Sequence, residues 1–262
     1  MKTHRKKRHF ILSDKLNLIC PTAWRELTQN QLRYVFSLIG SGLYSAVEIK
    51  TLLLIRLADI VILGREHDGV SCCVEVGRHR TFFFLSTWQV HSFLRQMSFV
   101  DSFEELGCRL EVIQGFKAVG VIPRELIFID YLNCEKYYQL FLQQKQPEYV
   151  CKLAGLLYRD SIGNIAEFQS LEPEEITGVV YWYGYIKACM AKAFPHFFKP
   201  LQAEVSENFD IVGVMDAQIR ALTDGDITKE DAVFNKSCWR ALTELNQKAR
   251  EAEEFRKKYG NR

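Results

Sequence analysis

The sequence predicts a mainly α protein of mixed α+β class, with a helical body, a small β-hairpin near residues 70–85 and short irregular strands near 108–122. Three observations predict it. Capping boxes with flanking hydrophobic staples open three helices in the first hundred residues. The run VSCCVEVGRHRTFFFLS carries strand-forming residues on both sides of a glycine. From Phe128 onward, apolar residues recur at three- and four-residue spacing in segments broken at prolines and glycines.

Taken in order, Thr28 with Gln31 forms the first box, stapled by Leu27 and Leu32. Ser45 with Glu48 forms the second, stapled by Tyr44 and Ile49, and Ser86 with Gln89 the third, stapled by Leu85 and Val90. In each, the hydroxyl accepts from the third residue's amide and that residue's side chain accepts from the cap's amide. They predict helices over 28–39, 45–62 and 86–97, the first two joined by GSG at 40–42. Two extended segments around Gly77 complete this region as a hairpin. Residues 108–122, punctuated by Gly115, Gly120 and followed by Pro123, predict one or two short strands.

A helix then runs from Phe128 through DYLNCEKYYQLFLQ, breaks near Pro147 and resumes as EYVCKLAGLLYR. Pro173 suits the first turn of the next helix, and Pro195 ends it. Its stripe, Val179, Tyr183, Ile186, Met190 and Ala193, has Tyr181, Trp182 and Tyr185 beside it. Burial on more than one side follows, which makes this helix the candidate centre of the core. Ile211, Met215, Ile219 and Leu222 mark a helix closed at Asp224-Gly225.

In ALTDGDITKED (221–231), acids at alternate positions raise the question of a calcium loop. Counted from Asp224, position 6 is Lys229 and position 12 is Asn235, where an EF-hand needs Gly and Glu. The stretch therefore reads as a helix start, with Thr228 as N-cap and Asp231 reaching back.

The last helix is expected over 228–258, with Glu244-Lys248, Glu253-Lys257 and Glu254-Lys258 at the favourable four-residue spacing. Its seam is Trp239, Leu242, Leu245, Ala249, Ala252, Phe255 and Tyr259. The seam thins from Ala249, so Trp239, Leu242 and Leu245 should face the body and Tyr259 should be exposed. Two readings stay open: a solvated terminal helix, or a coiled-coil-like docking face made by Leu245, Ala249, Ala252, Phe255 and Tyr259. The helix pair at 26–57 also echoes the pair at 125–159, each ending in an arginine, which fits either a duplication or two amphipathic pairs of the same kind.

The chain is 48% hydrophobic and 25% charged, ordinary for a globular protein able to bury a sizeable core. Of its 34 Lys and Arg, five (Lys2, Arg5, Lys6, Lys7 and Arg8) lie in the first ten residues; without them 29 basic residues face 32 acidic ones, a net charge of −3. The basicity belongs to a terminal arm, expected to be disordered over 1–9. That arm could hold phosphates; otherwise it is simply solvated. Parts at 10–125 and 126–262 are expected to pack as one body.

Eight cysteines without a CxxC pair read as buried thiols of a reducing cytoplasm. TLLLIRLADIVIL is interrupted by Arg56 and Asp59, too short and too charged to span a membrane, and no apolar segment follows the basic N-terminus as a signal peptide requires. A cytoplasmic protein of the host cell is the expectation.

No phosphate-binding glycine pattern, HExxH or GxSxG occurs, and the six histidines are scattered. The acidic pairs Glu104-Glu105 and Glu174-Glu175 sit where loops or first helical turns favour acids. No catalytic residue, metal or cofactor is therefore expected, and no enzyme.

At PTAWRELTQNQL, FIDYLNCEKYYQLFL and ALTDGDITKE followed by CWRALTELNQKAREAEE, the sequence resembles a family of phage and prophage proteins encoded among tail genes, of the tail-assembly chaperone type. The resemblance spans residues 21–257. It implies a non-enzymatic chaperone whose partner is another tail protein, such as the long tape-measure helix, with self-association as a further option and no membrane partner.

Overall fold

The computed structural model describes residues 18, 20–76, 79–199 and 210–259. The basic arm with Lys2, Arg5, Lys6, Lys7 and Arg8 lies outside them. The fold is helix-dominated α+β with two small three-stranded antiparallel sheets. The chain divides into two compact units, Met1–Ser102 and Phe103–Arg262, so residues 103–125 belong with the C-terminal part. Among the described residues no helix is long and apolar enough to cross a membrane.

In the first unit, α1 (Gln29–Ser41), α2 (Ala46–Leu57) and α3 (Thr87–Gln96) each start at the expected box, and Thr28, Ser45 and Ser86 make both reciprocal hydrogen bonds. Gly42 takes the left-handed conformation, φ 63°, that closes α1. Strands β1 (Val61–Glu66), β2 (Gly69–Val76) and β3 (His79–Ser86) form an antiparallel sheet in that order. Strands β2 and β3 pair antiparallel from Gly69 with Ser86 to Val76 with His79, as the hairpin reading requires, while the Gly77 turn lies outside the described residues.

The second helix, expected to reach residue 62, stops at Leu57. Asp59 turns left-handed at φ 49°, and Val61 and Ile62 pair with Cys73 and Cys72. A short apolar run rich in β-branched residues suits a strand as well as a helix, and the neighbouring strand decides between them. The unit's core centres on Trp24, whose ring lies 5.8 Å from Phe36 and 5.3 Å from Phe99 and whose Nε1 donates to the Ser102 carbonyl at 3.1 Å.

The second unit holds β4 (Val112–Ile113), β5 (Phe116–Ala118), α4 (Phe128–Gln144), α5 (Pro147–Leu157), β6 (Tyr158–Arg159), α6 (Pro173–Ala193), α7 (Ile211–Thr223), α8 (Glu230–Phe234) and α9 (Cys238–Tyr259). Its sheet has the order β4-β5-β6. Helix α6 is the core, with Val179, Trp182, Tyr183, Ile186 and Met190 all buried. Trp182 Nε1 donates to the Val121 carbonyl at 2.9 Å. Its ring meets the edge of Tyr158 at 5.8 Å, and the Tyr158 hydroxyl donates to the Leu110 carbonyl at 2.8 Å.

The helix expected over 228–258 is instead broken. Asp226, not Thr228, is the cap: its Oδ1 accepts from the Thr228 amide at 3.1 Å and hydroxyl at 2.7 Å. A 3-10 turn over Ile227–Lys229 leads into α8, and α9 begins only at Cys238. The reason lies in the backbone between them. The Phe128 amide donates to the Lys236 carbonyl and the Cys238 amide to the Leu126 carbonyl, both at 2.8 Å. Groups spent on the 126–128 segment cannot also bond four residues along a helix.

The echoed helix pairs are α1-α2 and α4-α5. Their closing arginines differ: Arg56 is exposed, whereas Arg159 Nη1 donates to the carbonyls of Gly155, Leu156 and Tyr158 and so satisfies the end of α5.

Candidate functional site

Helix α9 splits the seven seam residues into two sets. Leu242 and Leu245 are buried, and Trp239 is half-buried, with its ring 4.9 Å from Phe194 and under the Arg124 guanidinium at 4.8 Å. Leu245, at 4% exposure, faces inward with Ala249 and cannot belong to an outer docking face. Ala252 is exposed, and Phe255 and Tyr259 keep 65% and 52% of their surface in solvent, their rings 4.7 Å apart. Helix α9 packs against α4 and α7, and Leu245 and Ala249 line the cleft between them.

Two of the expected pairings along α9 give way to partners in other elements, while Glu254 pairs along the helix with Arg250 at 3.5 Å in place of Lys258. Lys248 reaches Asp224 at 2.6 Å, and Glu253 takes Lys199 together with His196 Nδ1 at 3.2 Å. The Lys199 and His196 hydrogen bonds hold the Glu253 carboxyl below its ordinary pKa. Asp224 and Asp226, the acids of the alternating stretch, are lowered by Lys248 and by Thr228 respectively. Among the described residues no group of three or more His, Cys, Asp or Glu could hold a metal ion.

Where Leu245 and Ala249 face inward, α4, α6, α7, α9 and the turn after α6 line a cavity of about 530 Å³ that is open to solvent on one side. Its walls are mostly apolar, with Tyr131, Phe198, Ile211 and Met215 among them. On one side the Glu135 carboxylate pairs with Lys187 and accepts from Gln139 Nε2 at 2.8 Å and from the Tyr183 hydroxyl at 3.3 Å. Burial, with the Glu135 charge adding, holds the Tyr131 and Tyr183 hydroxyls well above the ordinary tyrosine pKa and pushes Tyr138 up to about 12. These hydroxyls are neutral donors at physiological pH.

Gln218 of α7 is also among the lining residues at 8% exposure, and its Oε1, shut off from solvent, has no hydrogen-bond partner among the described residues. Gln218 escaped the sequence reading, although one signal was visible: it stands three residues after Met215 and four before Leu222, within the apolar stripe of α7. Glu135 and Lys187 carried no comparable signal, because they meet only when α4 and α6 pack.

Burial acts on several thiols of the unit. Burial raises the Cys108 and Cys238 pKa values to about 11, and Cys134 also lies far above its ordinary value. A reactive cysteine needs the opposite shift. The chain matches no protein-family model, no curated protein and no solved structure.

Proposed function

We propose that the chain is a non-enzymatic protein of a phage tail module, an assembly chaperone that binds another tail protein, with the tape measure as the partner of matching character. The single observation behind this reading is the outer end of α9, where the Phe255 and Tyr259 rings lie side by side in solvent at 65% and 52% exposure, their planes tilted by 43°. Paired aromatics along one helical face are what a second amphipathic helix packs against. The chain segments that resemble the tail family supply the choice of partner.

The test is co-expression with the tape-measure protein of the same phage. Co-elution should be lost in the double variant Phe255→Ala, Tyr259→Ala, while its thermal unfolding stays that of the wild type, since neither ring is in the core. Undiminished co-elution of the double variant, or no complex with the wild type, would remove the reading.

A second reading rests on the clustering of five of the 34 basic residues in the first ten. If these contact phosphates, duplex DNA should be bound with a log-log salt slope of about −4.5, and deleting residues 2–9 should abolish binding. DNA binding that survives the deletion at about 0.15 M salt would place any nucleic-acid site elsewhere.

A further inference from the structure

We propose that two copies of the chain pair by seating the Phe255–Tyr259 end of each α9 in the other's cleft between α4, α6, α7 and α9. One molecule carries both halves of this contact. The tip offers two exposed rings, Phe255 and Tyr259, at 65% and 52% exposure. The cleft is a solvent-open cavity of about 530 Å³ with Tyr131, Phe198 and Met215 in its walls, where Ala217, Ala221 and Ala249 leave room between them. A concave site of that size and lining suits aromatic groups, which bury more apolar surface than other side chains. The tip cannot fill its own cleft, because both lie on one uninterrupted helix. Ala249 lines the cleft, and Phe255 stands six residues further along α9, about 9 Å away on the axis. An exposed apolar knob with a fitting pocket elsewhere on the same molecule joins copies to one another.

Charge selects the second copy as the occupant. On the tip, Glu254 is held by Arg250, and Glu253 by Lys199 and His196. The last turn keeps Arg256, Lys257 and Lys258 beside the two rings, so the tip is aromatic and basic. At the cleft, Lys187, Lys199 and Lys248 already hold Glu135, Glu253 and Asp224, and their charges are neutralised before a basic tip arrives. Asp224, at the end of α7, keeps 75% of its side chain in solvent. Asp224 first, then Glu244 and Glu251, hold the Lys248 ammonium above its ordinary pKa, so the rim around that lysine is acidic. A basic aromatic tip therefore meets an apolar cleft with an acidic rim, and giving and receiving tips in both directions closes the pair with two-fold symmetry. The tape-measure reading places a partner helix on the same tip, so the two contacts compete; the pairing of copies does not depend on that reading and is tested on the chain alone.

Sedimentation velocity of the purified full chain, at concentrations rising to about 100 μM, should show a reversible dimer. The double variant Phe255→Ala, Tyr259→Ala should raise its dissociation constant at least about 30-fold. Ala217→Trp places a bulky ring in the cleft from an exposed position on α7, so it should weaken the dimer as strongly while thermal unfolding stays that of the wild type. Arg256→Glu, on the exposed tip, should weaken it about fivefold. A dimer that survives Ala217→Trp would mean that the tips pair with each other and not with the clefts, and it would overturn the proposal. So would a dimer that survives the double variant, or one that is unchanged in Arg256→Glu. A monomeric wild type would also overturn it, and would leave the tape-measure reading standing.

Discussion

In the first unit, α1, α2 and α3 all begin at a side-chain box closed within three residues, at Thr28, Ser45 and Ser86. In the second unit, α4 starts at Ile127 with no side-chain cap, and α9 starts where the Cys238 amide reaches the Leu126 carbonyl. There Ser237 Oγ also donates to the Arg124 carbonyl, 113 residues earlier, and Trp182 donates to Val121 across 61 residues. The second unit also caps α6 and α7 locally, at Glu172 with Glu175 and at Asp210, and adds to these caps partners that lie far away along the chain. The local solution can be recognised in a string of letters. The long-range one exists only once the unit has closed.

Their exposed apolar surfaces differ too. In the first unit Leu43, Tyr44 and Val47 stand out at the α1–α2 corner, and Val61, Ile62 and Leu63 lie along the sheet edge β1. A β-bulge after Ile62 interrupts that edge's pairing register, a feature that discourages further strand addition. In the second unit Ile162 and Ile227 are exposed singly, and Phe255 and Tyr259 are exposed together on a helix face.

The comparison breaks first, if it is wrong, at the buried tryptophans. Trp182→Ala should cost about 3–5 kcal/mol by urea denaturation, with loss of amide protection in α5 and α6. Trp24→Ala should fall in the same range, its loss of protection centred on α1. A change below about 1.5 kcal/mol at Trp182 would show that α6 is not the organising element.

Alkaline pH should act next, through the second unit. Folding raises the pKa of Tyr131, Tyr138 and Tyr183, chiefly by burial, with Tyr138 reaching about 12. The unfolded chain ionises its tyrosines near pH 10, while the folded chain keeps these three protonated. Their stabilising contribution is therefore complete below about pH 10 and lost as pH rises from there toward the folded values. Urea midpoints measured at pH 8, 10 and 11 should fall across that window, and substituting Phe at Tyr138 should flatten the fall.

Gly155→Ala should follow, at about 1–3 kcal/mol by the same denaturation assay, because its Cβ would stand 2.8 Å from the Ala166 carbonyl oxygen. The smallest effects belong to the caps. Thr28→Ala, Ser45→Ala and Ser86→Ala should each cost about 0.5–2 kcal/mol. In the second unit Asp226→Ala should lower the thermal midpoint more than Thr228→Ala, since Asp226 is the acceptor. The reverse order would restore Thr228 as the cap.

Much of the candidate site was legible where the pattern lay within one helix. The α9 seam changes from bulky to small residues at Ala249, and the structure changes from inward-facing to exposed between Ala249 and Ala252. The cavity was not legible, because its walls come from separate helices and its one orphaned acceptor is recognisable only by the absence of a partner.

By itself the sequence determined the starts of α1, α2 and α3, the β2–β3 hairpin, the limits of α6 set by Pro173 and Pro195, and the inward face of α9. Each of these depends on sterics, capping or periodicity within a few residues. Only the tertiary structure decided that residues 61–66 leave the helix to pair with β2, that the chain breaks at 235–237 to meet 126–128, and that Glu135, Lys187 and Gln218 face one cavity. Those outcomes depend on backbone and side-chain partners far apart along the chain, and local propensity cannot choose among partners it never meets.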